Sequence, residues 1–466
     1  MKKKIRFAVM FGNRGFFPGE LVASAREEMS KAIIDAGYEP VLMDSALTHF
    51  GAVETLEEAE LFSAFVKKEA VDGLIICMPN FSDESAAARA CHDLNIPIFI
   101  QAYPDVAGEM DFDHRRDAFC GKLSMMDVMC QYQIPFTIDS PHVIHPDNPG
   151  FTEQLHDFAG VCRVVSGMRR CTLGALGART TPFKTVRYDE IALQKVGITV
   201  ETFDLSEVIA KAKALDAGAP EVSKMIEQLK EFTDCSSAPQ DSLIQMARLG
   251  VVIQEYIDVY KLDVVAIRCW SELEIQLGCA PCALIGLFGE RGIPIACELD
   301  VCNAVIMHAL ALASDGPSTL MDWNNNYGDE PDSCIIFHCG PTPKSLLTDS
   351  GHMIEHPMFK KSFGPGCGWG PVEGRLKPGD ITYASCKTED GELVAYFGDA
   401  EIEDREVEKE FFGVYGVVTI ENLQEKLLFF GRNAFRHHMG LSSGHVAKIL
   451  REAFTTYLGY TCVNLP

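Results

Sequence analysis

The sequence has no apolar run of the roughly 18 residues that a membrane-spanning helix needs, so no such span is expected. It is also short of positive charge. Against 66 Asp and Glu stand only 41 Lys and Arg, a formal net charge of −25, which argues against nucleic acid as a partner. The start, MKKKIRFAVMFGNRG, is basic, but its apolar run is short and no small-residue cleavage site follows, so it reads as a first strand rather than a signal peptide. Regular cysteine spacing is missing too. Seventeen cysteines are scattered through the chain; their odd number and irregular spacing give no disulfide framework, and reduced, mostly buried thiols in a cytoplasm fit better. The one CxxC, Cys279 to Cys282, has no second pair to complete a zinc site and reads as a buried helix start. The glycine-rich SFGPGCGWGP (362–371) lacks the preceding strand, the following helix and the Lys-Ser/Thr of a phosphate loop, and reads as a linking loop.

What is present is a long chain of ordinary globular composition. At 466 residues, 47% hydrophobic and 23% charged, it is expected to form two or three domains. Apolar runs at 5–12, 37–44, 71–80 and 96–103 alternate with helical periodicity at 19–36, 55–70 and 82–94, the pattern of a parallel sheet with crossover helices. A second series of this kind starts at CTLGALGAR (171–179). It continues through GITVETFD, charged helices over 206–260, LDVVAIRCW, a helix near 279–290, GIPIACELD and PDSCIIFHCG. From about 350, glycines, the turn signals KPGD and EDGE, and short alternating segments predict an antiparallel β-domain, with a closing helix at 442–458. The expected class is α/β: two Rossmann-like parallel-sheet domains, 1–170 and 171–348, then a barrel-like β-rich domain, 349–466.

The segment IPIACELDVCNAV (293–305) ends an apolar run on two acids. In open α/β sheets ligands bind beyond the carboxyl ends of the strands. Asp300, just before VCNAVIMHALAL, is placed to cap that helix. Glu298 has no such duty and needs a cation or a substrate hydroxyl as partner. Three further segments can reach the same edge: STLMDWNNNYG, with Asp322 read as a loop residue; IIFHCG, with His338 ending a strand; and FRHHMGLSSGH, with His437 and His438. Two carboxylates and one imidazole suit a divalent ion such as Mn²⁺ better than Zn²⁺.

These motifs resemble the L-fucose/L-arabinose isomerase superfamily, in particular its fucose isomerase-like branch. The resemblance runs through most of the chain. It is strongest over RCWSELEIQLGCAPCALIGLFGERGIPIACELDVCNAVIM, FHCGPTPKS, LKPGDITYASC and FRHHMGLSSGHV. The pattern E-x-D-x-x-N (Glu298, Asp300, Asn303), with Asp322 following, is similar to that of the fucose isomerases. There the Glu and the later Asp bind Mn²⁺ and serve as the acid/base pair, and a His near the C-terminus is the third ligand. The His-His pair resembles that of the arabinose isomerases, whose second His is the ligand, which implies His438. The resemblance further implies a homo-oligomer, commonly a hexamer, in which Arg14 of GNRGFFPGE reaches a sugar hydroxyl in a neighbour's site.

The implied reaction is a metal-dependent aldose–ketose isomerisation through a cis-enediol, with a hydride shift as a variant. Glu298 and Asp322 would be catalytic. Trp270, Glu272, His338, Asn303 and His437 would join Arg14 in binding the sugar. Arg179 is a further candidate, and His308, inside a helix, reads as structural. Leu299 and Cys302 depart from the polar or small residues common in relatives, so the pocket is open to sugars other than fucose, including deoxy and sulfonated ones. Two other readings stand beside this one: another enediolate enzyme, such as an epimerase or retro-aldol lyase, and a non-catalytic sugar-binding protein.

Overall fold

Short, fully apolar runs become parallel strands here because both of their faces are covered. In the computed structural model, which describes residues 4–408 and 411–466, the chain divides into two units, before and after the boundary at Ser166/Gly167. The first unit holds a four-stranded parallel sheet in the order Glu39–Leu42, Arg6–Phe11, Gly73–Met78, Ile98–Ala102. Gly73–Met78 and Ile98–Ala102 are buried along their whole length. The helix Leu56–Lys68 starts where the sequence dictates: Thr55 accepts from the Glu58 N–H while the Glu58 carboxylate reaches back to the Thr55 N–H.

The second unit opens with another parallel sheet, in the order Ile198–Phe203, Cys171–Leu176, Val264–Ile267, Ile295–Ala296. It goes on into a mostly antiparallel sheet of nine strands. Six of these close on themselves: Val414–Thr419, Ser333–His338, Ser318–Asn326, His438–Ser443, Gly379–Glu389 and Glu392–Glu403, the last pairing back onto the first. The barrel-like expectation is therefore met, since closure removes the free edges.

Three local expectations differ from the structure. Asp322 lies within the strand Ser318–Asn326, not in a loop, and the run PDSCIIFHCG pairs with barrel strands rather than with the parallel sheet. The polar run WNNN looks like a loop, but Leu320 and Met321 are buried ahead of it and Trp323 stacks on Phe430. The third difference is at the C-terminus, where residues 438–443 are strand and the helix covers only Ala447–Glu452, with a π-helical turn at Ala453–Leu458.

The helix Val301–Ser314 joins these layers. It is apolar on nearly every side, as a helix buried all round must be. It packs on the barrel strands His438–Ser443 and Gly379–Glu389 and on the parallel strand Val264–Ile267. Gly440 allows this close approach, because a Cβ there would come within 2.9 Å of Leu310. Gly340 is more constrained. It has φ of +114°, and an added Cβ would lie 2.4 Å from the backbone of Val372. Gly340→Ala is expected to cost at least about 1–3 kcal/mol. Urea denaturation checks this, and an unchanged midpoint would show that the backbone there relaxes freely.

Candidate active site

The carboxyl end of the parallel sheet meets the barrel around Glu298. The chain leaves the short strand Ile295–Ala296, and Glu298 and Leu299 both take left-handed backbone conformations, φ 59° and 57°. Neither is glycine, and such positions cost energy that the surrounding structure must supply. The turn directs the Glu298 carboxylate inward, where the residue is only 7% exposed.

Asp300 ends this turn and caps the helix Val301–Ser314, its Oδ1 accepting from the Asn303 N–H at 3.1 Å. It does more than cap. Its Oδ2 is 2.8 Å from Nδ1 of His438, and its Oδ1 pairs with the Arg436 guanidinium. All three residues are buried. Asn303 donates to Asp300 Oδ2 at 2.7 Å and accepts from the Ser385 hydroxyl at 2.9 Å. Asn303, expected against the sugar, is fully buried and supports Asp300.

From the barrel come Asp322 and His438, directly opposite each other on adjacent antiparallel strands, so their side chains share one face. His438 Nε2 lies 3.1 Å from Glu298 Oε2 and 3.4 Å from Asp322 Oδ1. These three buried atoms have no hydrogen-bond partner. Ligand-type atoms of Glu298, His338 and His438 lie within 4.8 Å of one another, and so do those of Asp322, His437 and His438.

The charges agree with this grouping. Burial alone would push the His438 imidazole down, but the Asp300 carboxylate at Nδ1 and the nearby carboxylates of Glu298 and Asp322 lift it to about 10. Burial would likewise raise Asp300, yet the Arg436 charge and the His438 bond hold it well below the usual carboxylate range. Glu298 is held down by His438 against its own burial. Two carboxylates and one imidazole facing one buried point fit a divalent cation, which on binding would displace the proton from His438 Nε2. Asp300 would then be the outer carboxylate that fixes the ring of the His ligand.

The other expected residues are placed as follows. His437 is half-exposed, with Nε2 3.9 Å from Asp322 Oδ1. Trp270 follows the strand Val264–Ile267, and its ring meets Phe183 and Phe359 edge-on. Glu272 opens the helix Glu272–Leu277 and is partly buried, whereas Glu274 beside it is fully buried and raised to about 8 by that burial. Arg179 donates to the carbonyls of Thr180 and Thr181. His308 is buried in its helix. Arg14 belongs to the first unit, where it pairs with Glu84 at 2.6 Å and lies over the Phe81 ring. Cys282 begins the helix Cys282–Glu290, and burial raises both thiols of the CxxC.

Sequence reasoning missed Arg436 and Phe183. Phe183 lies 6.3 Å from the His438 ring and extends the aromatic wall beside Trp270. Arg436 carried one readable signal, a cation two residues before a proposed ligand in a segment otherwise destined for burial.

Comparison with known proteins points the same way. Residues 8–169 match the family model "Fucose/sulfoquinovose isomerase, N-terminal domain", and residues 336–465 match "L-fucose isomerase, C-terminal domain". Curated relatives named sulfoquinovose isomerase include those of Priestia aryabhattai and Priestia megaterium. Each is 24% identical over 410 residues, covering 86% of this chain and 87% of the relative. A third, from Alkalicoccus urumqiensis, is 24% identical over 394 residues, covering 82% and 83%.

Proposed function

The chain belongs to the fucose isomerase-like family, and from that premise we propose that it is a metal-dependent aldose–ketose isomerase acting on a fucose/arabinose-like or modified sugar, deoxy or sulfonated, through a cis-enediol. The observation that carries this reading is the convergence of Glu298, Asp322 and His438 on one buried point with their facing atoms unpartnered. Glu298, Asp322 and His438 would hold Mn²⁺ or another divalent ion, which supplies Lewis-acid polarisation of the sugar's C1 and C2 oxygens.

The chain's own residues do the rest. One of the two carboxylates, Glu298 or Asp322, takes the proton from the carbon next to the carbonyl and returns it to the neighbouring carbon. The other moves protons between the two oxygens. Asp300 holds the His438 ring in place through Nδ1. Trp270 and Phe183 offer apolar faces to the sugar's C–H surface, and His338, His437 and Glu272 bind hydroxyls. We further propose that the enzyme is a cytoplasmic homo-oligomer, such as a hexamer, in which Arg14 serves a neighbouring site, and that the chain is organised as domains 1–170, 171–348 and 349–466.

The test is an NMR screen in D₂O. Protein stripped with a chelator and resupplied with Mn²⁺ is offered aldoses, deoxy sugars and sulfonated sugars. The expected result is a ketose carrying deuterium at the reacting carbon, lost on chelation and regained with Mn²⁺. A product of altered stereochemistry or a cleaved chain would replace isomerisation with epimerase or retro-aldol chemistry. Absence of any metal-dependent product across the panel would favour a binding role.

A further inference from the structure

His338 stands closest to being counted as one more metal ligand. It is buried, it ends the barrel strand Ser333–His338, and one of its ring nitrogens lies within 4.8 Å of the ligand-type atoms of Glu298 and His438. Its ring centroid is 6.1 Å from that of His438.

Its tautomer argues otherwise. The backbone N–H of Cys339 donates to His338 Nδ1 at 2.9 Å. An Nδ1 that accepts a hydrogen bond carries no proton, so in the neutral ring the proton sits on Nε2. A protonated Nε2 has no lone pair for a metal. It is a donor, and in the structure it is buried without an acceptor. A buried donor left unpaired costs free energy, so its acceptor is expected to arrive with a ligand. No carboxylate oxygen among the described residues lies within ion-pair distance of the ring, since none of the short His–carboxylate contacts involves His338. A ring nitrogen within 4.8 Å of the Glu298 carboxylate yet outside the 4.0 Å ion-pair distance makes no direct hydrogen bond to it, and one intervening oxygen atom spans such a gap.

We propose that His338 is an N–H donor, through Nε2, to an oxygen of the bound sugar at C1 or C2, and not a member of the metal-binding set. The inference rests on the isomerase reading above. As a carboxylate removes the carbon-bound proton, negative charge develops on that oxygen. The Nε2–H hydrogen bond strengthens with it while the proton stays on the ring. Donors of this kind, fixed in place before charge develops, act mainly on the transition state.

The experiment compares His338→Asn and His338→Gln with the wild type. Asn keeps an oxygen near the Nδ1 position to accept from Cys339 and loses the distal donor; Gln carries an amide N–H out to the Nε2 position. Mn²⁺ affinity is measured by calorimetry on sugar-free protein, and kcat and KM with the sugar found in the screen. The expected result is Mn²⁺ affinity within about threefold of wild type in both variants, kcat lowered about 10²–10³-fold in His338→Asn, and partial recovery in His338→Gln. A tenfold or greater loss of Mn²⁺ affinity in His338→Asn would make His338 a ligand and overturn the proposal. Unchanged kcat in a folded His338→Asn would overturn it too, leaving the ring with a purely local structural task. Should the wild type convert no sugar, the isomerase reading fails by itself, and the donor role falls with it even if Mn²⁺ affinity is unaffected by the substitution.

Discussion

Glu298→Gln is expected to lower turnover by at least about 10²–10⁴-fold, the range associated with losing a positioned general acid or base, and to weaken Mn²⁺ binding in the same protein. The substitution keeps the side chain's shape and removes only its charge. Glu298 Oε2 is buried and unpartnered, 3.1 Å from His438 Nε2. The local backbone already pays a strain penalty to hold it there, with φ of 59° at a non-glycine residue. A neutral amide can neither accept the carbon-bound proton nor offer an anionic oxygen to a cation. The measurement is a progress curve under the NMR conditions of the screen, paired with calorimetric titration by Mn²⁺. Wild-type turnover in the variant would remove Glu298 from the chemistry and with it the central assignment of this site.

That Glu298 could be singled out from sequence follows from a simple conflict, an acid closing the apolar run IPIAC. The parallel strands were equally legible, because strands such as Gly73–Met78 are covered on both faces and must be apolar throughout. Asp322 was legible as chemistry but not as structure. Its strand is recognised only through pairing with His438, more than a hundred residues later, and with a neighbour whose register shifts between Ile335 and Ile336. Barrel closure by Val414–Thr419 against Glu392–Glu403 is non-local in the same sense. Asn303 fits a motif for a reason the motif does not state: it braces Asp300 and is itself held by Ser385. Phe183 was invisible, and Arg436 showed only a cation near a proposed ligand, because nothing in their own neighbourhoods names Asp300 or the His438 ring as the partner. Residues that meet across the join between sheet and barrel are fixed by tertiary packing, and periodicity carries no trace of it.

Asp300→Asn separates two consequences of that join. The buried carboxylate serves Arg436, His438 and Asn303 together. An amide offers one oxygen and no charge, so it leaves the Arg436 guanidinium, only 6% exposed, without its counter-charge. Breaking a buried pair from one side costs about 3–5 kcal/mol. The pH dependence has a definite sign. The Asp300 carboxyl is held below its ordinary value in the folded protein. The stability it contributes is therefore present above the unfolded value, roughly pH 4, and is lost as pH falls through the lower folded value; the variant should lose that part of the acid transition. The second consequence concerns His438, whose Nδ1–H loses its carboxylate partner, and removing such an outer partner typically weakens metal binding about 10–100-fold. Adding Arg436→Met tells the two apart. Replacing both members of a buried pair is often nearly neutral for folding, so Asp300→Asn with Arg436→Met should regain much of the urea stability while Mn²⁺ affinity stays low. If affinity returned together with stability, Asp300 would act on the site only by keeping the fold intact, and the orientation of the His438 ring would have to be credited to its neighbours in the barrel.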